Sequence, residues 1–388
     1  MRVFVIVLDG VGIGALPDAD RYGDAGANTL LHVAERAGGL RLPVLGSFGL
    51  GTLLPLPGVR PLLTPRGARA RLLEKSPGTD STTGHWELMG VELARAFPTY
   101  PDGFPEPLLE RWGERVGRGW IGNVAASGTE IIARLGEEHQ RTGRLIVYTS
   151  ADSVFQVAAH ERTVPVEQLY DACRVARELL AGEHAVGRVI ARPFEGEPGA
   201  YRRTSRRRDF SLPPPEPTVL DRLHAAGRRV VTVGKVDDLF AGRGIADAIH
   251  TTGNEEGEAV LLDLAKRPGE GLVLANLVDF DTQYGHRNDP AGFALALERF
   301  DATFGELAGR LRGDEMAWVT ADHGNDPTTP GTDHTREATP LLVAGPRVRD
   351  GADLGTRKSF ADVGATLAEL FSLAPPHAGT SFLAELRA

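Results

Sequence analysis

An α/β fold built on a mainly parallel sheet is what this sequence predicts, and three observations carry that expectation. Short apolar runs recur along the chain, segments with helical spacing lie between many of them, and acidic residues end several of the runs. Alternating strand and helix is the pattern of α/β units, whose buried strands pair mainly in parallel. The first run, Val3–Leu8, ends in Asp9 and reads as a buried strand. Leu145–Tyr148, Arg229–Val233, Leu272–Val278, Ala317–Thr320 and Pro340–Val343 read the same way. Ala291–Leu311 and Phe360–Leu373 have the spacing of helices.

At 388 residues the chain is long for one domain and suggests two. Two proline-rich stretches, Phe97–Pro107 and Arg202–Pro217, bracket a segment with strands and helices of its own. They read as connectors. The expected organisation is a discontinuous metal-binding catalytic core, residues 1–97 and 216–388, with an inserted α/β cap or substrate domain at 98–215. No internal repeat stands out.

The net charge of −9 argues against a general nucleic-acid binder, which needs a basic footprint to displace counterions. A small anionic substrate remains compatible, since a few placed cations act locally. Cys173 is the only cysteine, so neither an intramolecular disulfide nor a thiolate metal cluster can form, and a cytoplasmic location is expected. The opening "MRVFVIVLDG" reads as a first strand and not as a signal peptide, and no apolar run is long enough for a membrane span. Lysine is scarce: Lys75, Lys235, Lys266 and Lys358 are set among many arginines.

Acids end three of the predicted strands: Asp9, the pair Asp279 and Asp281, and Asp322. The carboxyl ends of parallel strands share one edge, where ligands bind. Alone, each acid could equally cap a turn or helix. Histidines change that balance. His286 follows Asp281 by five residues, His323 adjoins Asp322, and His334 lies in the next predicted loop. Carboxylates and imidazoles without sulfur suit Mn²⁺, Zn²⁺ or, less naturally, Mg²⁺. Six candidates divide into two groups of three, the pattern of a binuclear centre for phosphoryl transfer. The run "GVGIG" at Gly10–Gly14 lacks the full dinucleotide-loop spacing, and a turn passing close to a metal ligand explains it as well.

The stretch "GTDSTTGHWELMG", Gly78–Gly90, offers Ser81, Thr82 and Thr83 as nucleophiles. A nearby cation would lower the pKa of such a hydroxyl. The same residues also read as a helix cap led by Asp80, and a helix N-terminus favours phosphate, so both roles can hold. His85, Trp86 and Glu87 are open between core packing and support of the site.

These motifs together resemble the bacterial phosphopentomutase family of the alkaline phosphatase superfamily, over essentially the whole chain. The resemblance rests on "VLDGVGIGALPDA", "GHWELMG", "ASGTEII", "IVYTSADSV", "GRVIARPFEGEPG", "NLVDFD…GHR", "TADHGNDPTTPGTDHTRE" and "GTSFL". It implies an alkaline-phosphatase-like core, two Mn²⁺ ions or other divalent metals, and interconversion of (deoxy)ribose 1-phosphate and 5-phosphate through a phosphoenzyme and a 1,5-bisphosphate. Such an isomerase would link nucleoside breakdown to pentose phosphate metabolism, with a sugar bisphosphate as possible primer. By resemblance, Asp281, His286 and His334 hold one metal, and Asp9, Asp322 and His323 the other; Asp279 is not a ligand. The family's nucleophile is a threonine directly after the acid. Ser81 stands there in this chain, with Thr82 the alternative after a one-residue shift. Substrate contacts implied by the resemblance are Ser150, Asp152, Arg188, Arg203 and Lys235. The partner implied is a small pentose phosphate, with neither nucleic acid nor membrane. A metal-dependent phosphatase or phosphodiesterase of the same superfamily is the alternative activity, and a non-catalytic phosphosugar sensor is a third reading.

Overall fold

The computed structural model describes residues 1–150 and 152–387. The chain separates into two units, one of Met1–Arg95 with Pro214–Ala388 and one of Ala96–Pro213. The first begins with β1 (Arg2–Leu8), buried throughout, and β2 (Ala68–Leu72). The second holds β3 (Trp120–Ala125), β4 (Leu145–Thr149), β5 (Val154–His160), β6 (Arg188–Glu195), β7 (Arg202–Arg203) and β8 (Arg208–Ser211). The chain then returns to the first unit with β9 (Val230–Val233), β10 (Asp247–Ile249), β11 (Gly271–Leu277), β12 (Met316–Thr320), β13 (Thr339–Ala344) and β14 (Ala352–Arg357).

The eight strands of the first unit form one sheet in the order β10-β9-β11-β1-β12-β13-β2-β14. β1 lies between β11 and β12 and is parallel to both, with Leu8 level with Leu277 and Val7 level with Thr320. That register brings Asp9, Asp281 and Asp322 off the same edge, although more than 270 residues separate the first two. β13 runs antiparallel to β12 and β2. Alternate residues of β1, Phe4, Ile6 and Leu8, pack on one face with Val33, Phe293, Phe300 and Phe304. The last three belong to the helix Pro290–Arg310, which starts on proline and is capped by Asp289 accepting from the Gly292 amide.

Glu337 organises the loops above this edge. It is buried, and its two oxygens accept from the Gly14 and Thr29 amides and from the Thr29 and Thr335 hydroxyls. A Cβ on Gly12 would lie 2.3 Å from Glu337 Oε2. The run "GVGIG" is therefore a backbone that wraps a buried carboxylate, and glycine at position 12 makes the approach possible.

In the second unit the strand order is β3-β4-β5-β6-β7, with β8 also paired to β6. Its core gathers Trp112, Phe155, Leu169 and Cys173. The two proline-rich stretches are more ordered than connectors need be. Helix Glu106–Val116 starts within the first, with a proline in its first turn. β7 and β8 form in the proline-free part of the second, where both run antiparallel to β6. Among the described residues, no helix is long and apolar enough to cross a membrane.

Candidate active site

Helix Ser81–Leu88 is buried along its whole length. Asp80 caps it: Oδ1 accepts from the Thr82 and Thr83 amides at 3.0 and 3.1 Å, and Oδ2 from the Thr83 hydroxyl at 2.6 Å. The Thr83 hydroxyl is thus spent on the cap. Ser81, in the first helical position, turns its Oγ to the sheet edge. Lys235 Nζ donates to it at 3.2 Å, His323 Nε2 lies at 3.3 Å, and Asp9 Oδ1 accepts from it at 3.4 Å. The Asp80 cap and a Ser81 hydroxyl turned to the sheet edge, both in one short stretch, coexist. A Cβ on Gly84 would fall 2.1 Å from the Asp322 carbonyl oxygen, so glycine lets this helix press against the Asp322 backbone.

Asp281, His286 and His334 converge so that one ligand atom from each lies within 4.8 Å of the others. Asp9, Asp281 and His323 form a second such group, which makes Asp281 common to both. Asp322 adjoins the second group, with Oδ2 3.6 Å from His323 Nε2. Two imidazoles are oriented by their neighbours. His286 Nδ1 donates to the Thr332 carbonyl and His323 Nδ1 to that of Gly324, so each Nε2 faces the carboxylates. Asp279, beside these ligand candidates in sequence, instead caps helix Asn254–Lys266 by accepting from the Asn254 amide at 2.7 Å.

The donor set fits divalent cations. Among the described residues, Asp322 Oδ2 and His334 Nε2 are buried and have no hydrogen-bond partner of good geometry. Their neighbours are other site groups, His85 Nδ1 at 3.1 Å from the carboxylate oxygen and Asp281 Oδ1 at 3.2 Å from the imidazole nitrogen, and carboxylate oxygens and imidazole nitrogens gathered in this way are donors a cation takes up. The local charges point the same way. Burial works to raise the Asp9 carboxyl, yet Lys235, 2.8 Å away, holds it below the usual carboxylate range. Burial likewise opposes ionisation of Asp281, and His334 and His286 override it, keeping that carboxyl well below its ordinary value. The hydrogen bond to Asp281 raises His286 to about 9.

Several supporting residues carried no clear signal in the sequence. Asn276, in the apolar strand β11, donates to Asp9 Oδ2 at 3.0 Å. Asn325 donates to Asp281 Oδ1 at 2.7 Å. A polar residue inside an otherwise apolar strand was the one available hint for Asn276. His85 donates from Nδ1 to the Ser81 carbonyl at 2.8 Å and stands 3.1 Å from Asp322 Oδ2, so it supports the site. Trp86 is core, its indole donating to the Leu239 carbonyl. Glu87 accepts from the Lys75 and Ser76 amides and fixes the turn that leads to Ser81.

Of the substrate-contact candidates, Lys235 joins the Ser81 cluster directly. The other four belong to the second unit. Arg188, at the start of β6, faces Asp152 at 3.8 Å and Asp209 at 3.7 Å. Ser150 follows β4 and is partly buried. Arg203 lies on β7, and its guanidinium and the Tyr148 hydroxyl both approach Gly128. Burial pushes the Tyr148 hydroxyl up, and the positive charges of Arg192, Arg203 and Arg207 oppose that. Arg192 and Arg207 thus extend a basic cluster from which the sequence reading singled out Arg203 alone.

The chain is similar to known proteins along nearly its whole length. A family model described as the metalloenzyme superfamily matches residues 1–375. A protein from Caldanaerobacter subterraneus subsp. tengcongensis named phosphopentomutase is 55% identical over 385 residues, covering 99% of this chain and 98% of its own. One of the same name from Clostridium novyi is 53% identical, covering 99% of both. Among solved structures, phosphoglycerate mutase of Leishmania mexicana aligns with a TM-score of 0.52 at 14% identity, covering 98% of this chain and 96% of its own. The PH0037 protein from Pyrococcus horikoshii aligns at 0.50 and 16% identity, covering 97% and 99%. These likenesses establish the alkaline-phosphatase type of fold.

Proposed function

We propose the following chemistry for a chain that belongs to the phosphopentomutase family and, with it, to the metalloenzyme superfamily. Its activity is that of a phosphopentomutase, an isomerase that depends on divalent metal and acts on a small phosphosugar. Ser81 carries the phosphoryl group. The observation that supports this reading is the convergence of Lys235, His323 and Asp9 within 3.4 Å of a single hydroxyl at a helix start.

The phosphorylated Ser81 gives its phosphoryl group to the free hydroxyl of a bound (deoxy)ribose phosphate. The Ser81 oxygen–phosphorus bond breaks as the sugar oxygen–phosphorus bond forms, and the sugar hydroxyl proton ends on Ser81. The resulting 1,5-bisphosphate returns its other phosphate to Ser81, completing the exchange between C1 and C5. Asp281, His286 and His334 would hold one cation, and Asp9, Asp322 and His323 the other. These ions, with Mn²⁺ the proposed metal, would supply Lewis-acid stabilisation of the phosphoryl oxygens. Lys235 neutralises charge at the Ser81 oxygen, and the helix N-terminus favours phosphate there. The inserted unit, residues 98–215, is the substrate domain, with Ser150, Asp152, Arg188 and Arg203 recognising sugar and phosphate; arginine suits bidentate phosphate recognition. A sugar bisphosphate primes the enzyme, which works in the cytoplasm.

Incubation with ribose 1-phosphate and Mn²⁺, followed by product analysis and phosphopeptide mapping, tests the reading. Ribose 5-phosphate and phosphate on Ser81 are expected. Free ribose and inorganic phosphate as main products would refute the mutase cycle.

A further inference from the structure

We propose that Arg336 is a positioning residue that fixes the segment leading into Ser81 against the segment bearing His334. The proposal deepens, and rests on, the reading of Ser81 as the phosphoryl carrier. Arg336 is 2% exposed, and its guanidinium donates to three backbone carbonyls and two carboxylates. Nη1 reaches Glu74 Oε2 at 2.7 Å, the Ser76 carbonyl at 2.8 Å and the Gly78 carbonyl at 2.7 Å. Nη2 reaches the Glu74 carbonyl at 3.2 Å and Asp18 Oδ2 at 3.3 Å, and Nε reaches Asp18 Oδ1 at 3.2 Å.

The three carbonyls belong to the irregular run between β2 and helix Ser81–Leu88. No sheet or helix ladder satisfies them, so an outside donor decides where the run sits. Glu87 holds the opposite polarity of the same turn, accepting from the Lys75 and Ser76 amides at 2.9 and 2.7 Å. One acid and one arginine therefore grip both polarities of the backbone just ahead of Ser81.

Arg336 also stands two residues from His334. Its neighbour Thr335 exchanges backbone hydrogen bonds with Gly324, at 3.1 and 2.8 Å, next to His323. The other neighbour, Glu337, is bound by Thr29 and Gly14. Segment 334–337 is thus fixed to the His323 loop and to the loop after β1, and Arg336 extends that fixed point to the Ser81 run. A planar guanidinium with five donors can serve several carbonyls at once, which a lysine ammonium on a flexible stem cannot reproduce.

The test compares Arg336→Lys, the paired replacement E74M/R336M and the outer-partner variant Asp18→Asn. Each is measured for kcat and KM, bound Mn²⁺ per chain and melting temperature. The paired variant removes the two buried charges together and leaves only Asp18, 35% exposed, without its arginine, avoiding the stranded buried carboxylate that a single deletion leaves. With metal content equal to the parent's, Arg336→Lys and E74M/R336M should lose about 100-fold in kcat, with KM changed by less than about threefold, because a misplacement of ~1 Å costs that much. Asp18→Asn should stay within about threefold of the parent. Parent-like kcat in either Arg336 variant, folded and metal-loaded, overturns the proposal. So does an Asp18→Asn loss as large as that of Arg336→Lys. If Arg336→Lys does not fold, the paired variant decides. Phosphate mapped to Thr82 in the parent would refute Ser81 as carrier without touching the anchoring result, so the two failures are distinguishable.

Discussion

Replacing Gly84 by alanine should separate activity from stability. Alanine is the better helix former by ~1 kcal/mol, which alone would raise the melting temperature. Against that, the new Cβ would sit 2.1 Å from the Asp322 carbonyl oxygen, with the Asp322 carbonyl carbon at 2.8 Å and its Cβ at 2.9 Å. An ordinary carbon–oxygen contact is about 3.3 Å or more, so helix and loop must part by about 1 Å. Overpacking of this kind costs ~1–3 kcal/mol. The clash and the propensity gain leave a net loss of up to ~2 kcal/mol, or a melting temperature lower by at most about 8 °C. Catalysis should suffer far more. The same displacement moves Ser81, on the first turn, relative to Asp322, and ~1 Å is enough for a roughly 100-fold fall in kcat. Thermal denaturation and steady-state mutase kinetics on one metal-loaded preparation check both numbers. A Gly84→Ala enzyme with kcat within about threefold of the parent would refute the idea that this contact sets the place of Ser81, the proposed nucleophile.

Ser81→Ala should abolish both turnover and the phosphorylated species seen by intact mass, while Ser81→Thr should keep kcat within about tenfold, since the hydroxyl remains and only χ1 stiffens. Unchanged turnover in Ser81→Ala would exclude this hydroxyl. Metal affinity should depend on pH with a defined sign. In the metal-free chain the hydrogen bond to Asp281 raises His286 from 6.5 to about 9. The stabilisation from that proton is complete below about 6.5 and is lost as pH rises through about 9. A cation must displace the proton, so apparent Mn²⁺ affinity should climb over this window, with proton release measurable by calorimetry in buffers of different ionisation enthalpy. Constant affinity from pH 6.5 to 9 would contradict this.

The strands that carry the site were readable because burial on both faces leaves continuous apolar runs. Val3–Leu8 and Leu272–Val278 match β1 and β11 to within a residue at each end. The acids at their ends were readable for the same reason: a charge closing an apolar run marks where the chain leaves the sheet. β2 was not readable. Its sequence "ARARL" looks exposed, yet Arg69 is buried and pairs with Asp353, and Arg71 donates to the Ile13 carbonyl. Long-range partners of this kind leave no local periodicity. The same holds for Glu337 and Arg336, whose roles depend on partners 323 and 262 residues away. Asp279 shows the converse, since proximity to ligand candidates in sequence did not distinguish a helix cap from a ligand.

The central place of β1 has a consequence for how the protein is made. Its seven buried residues are synthesised long before either neighbour in the sheet, Gly271–Leu277 and Met316–Thr320. At typical elongation rates that wait is on the order of tens of seconds. Throughout it, an apolar strand with both edges unpaired is exposed to misassociation. The unit Ala96–Pro213 is continuous and can finish folding in the meantime. Nascent-chain yield should therefore fall when chaperones that shelter β1, until β11 and β12 are made, are depleted.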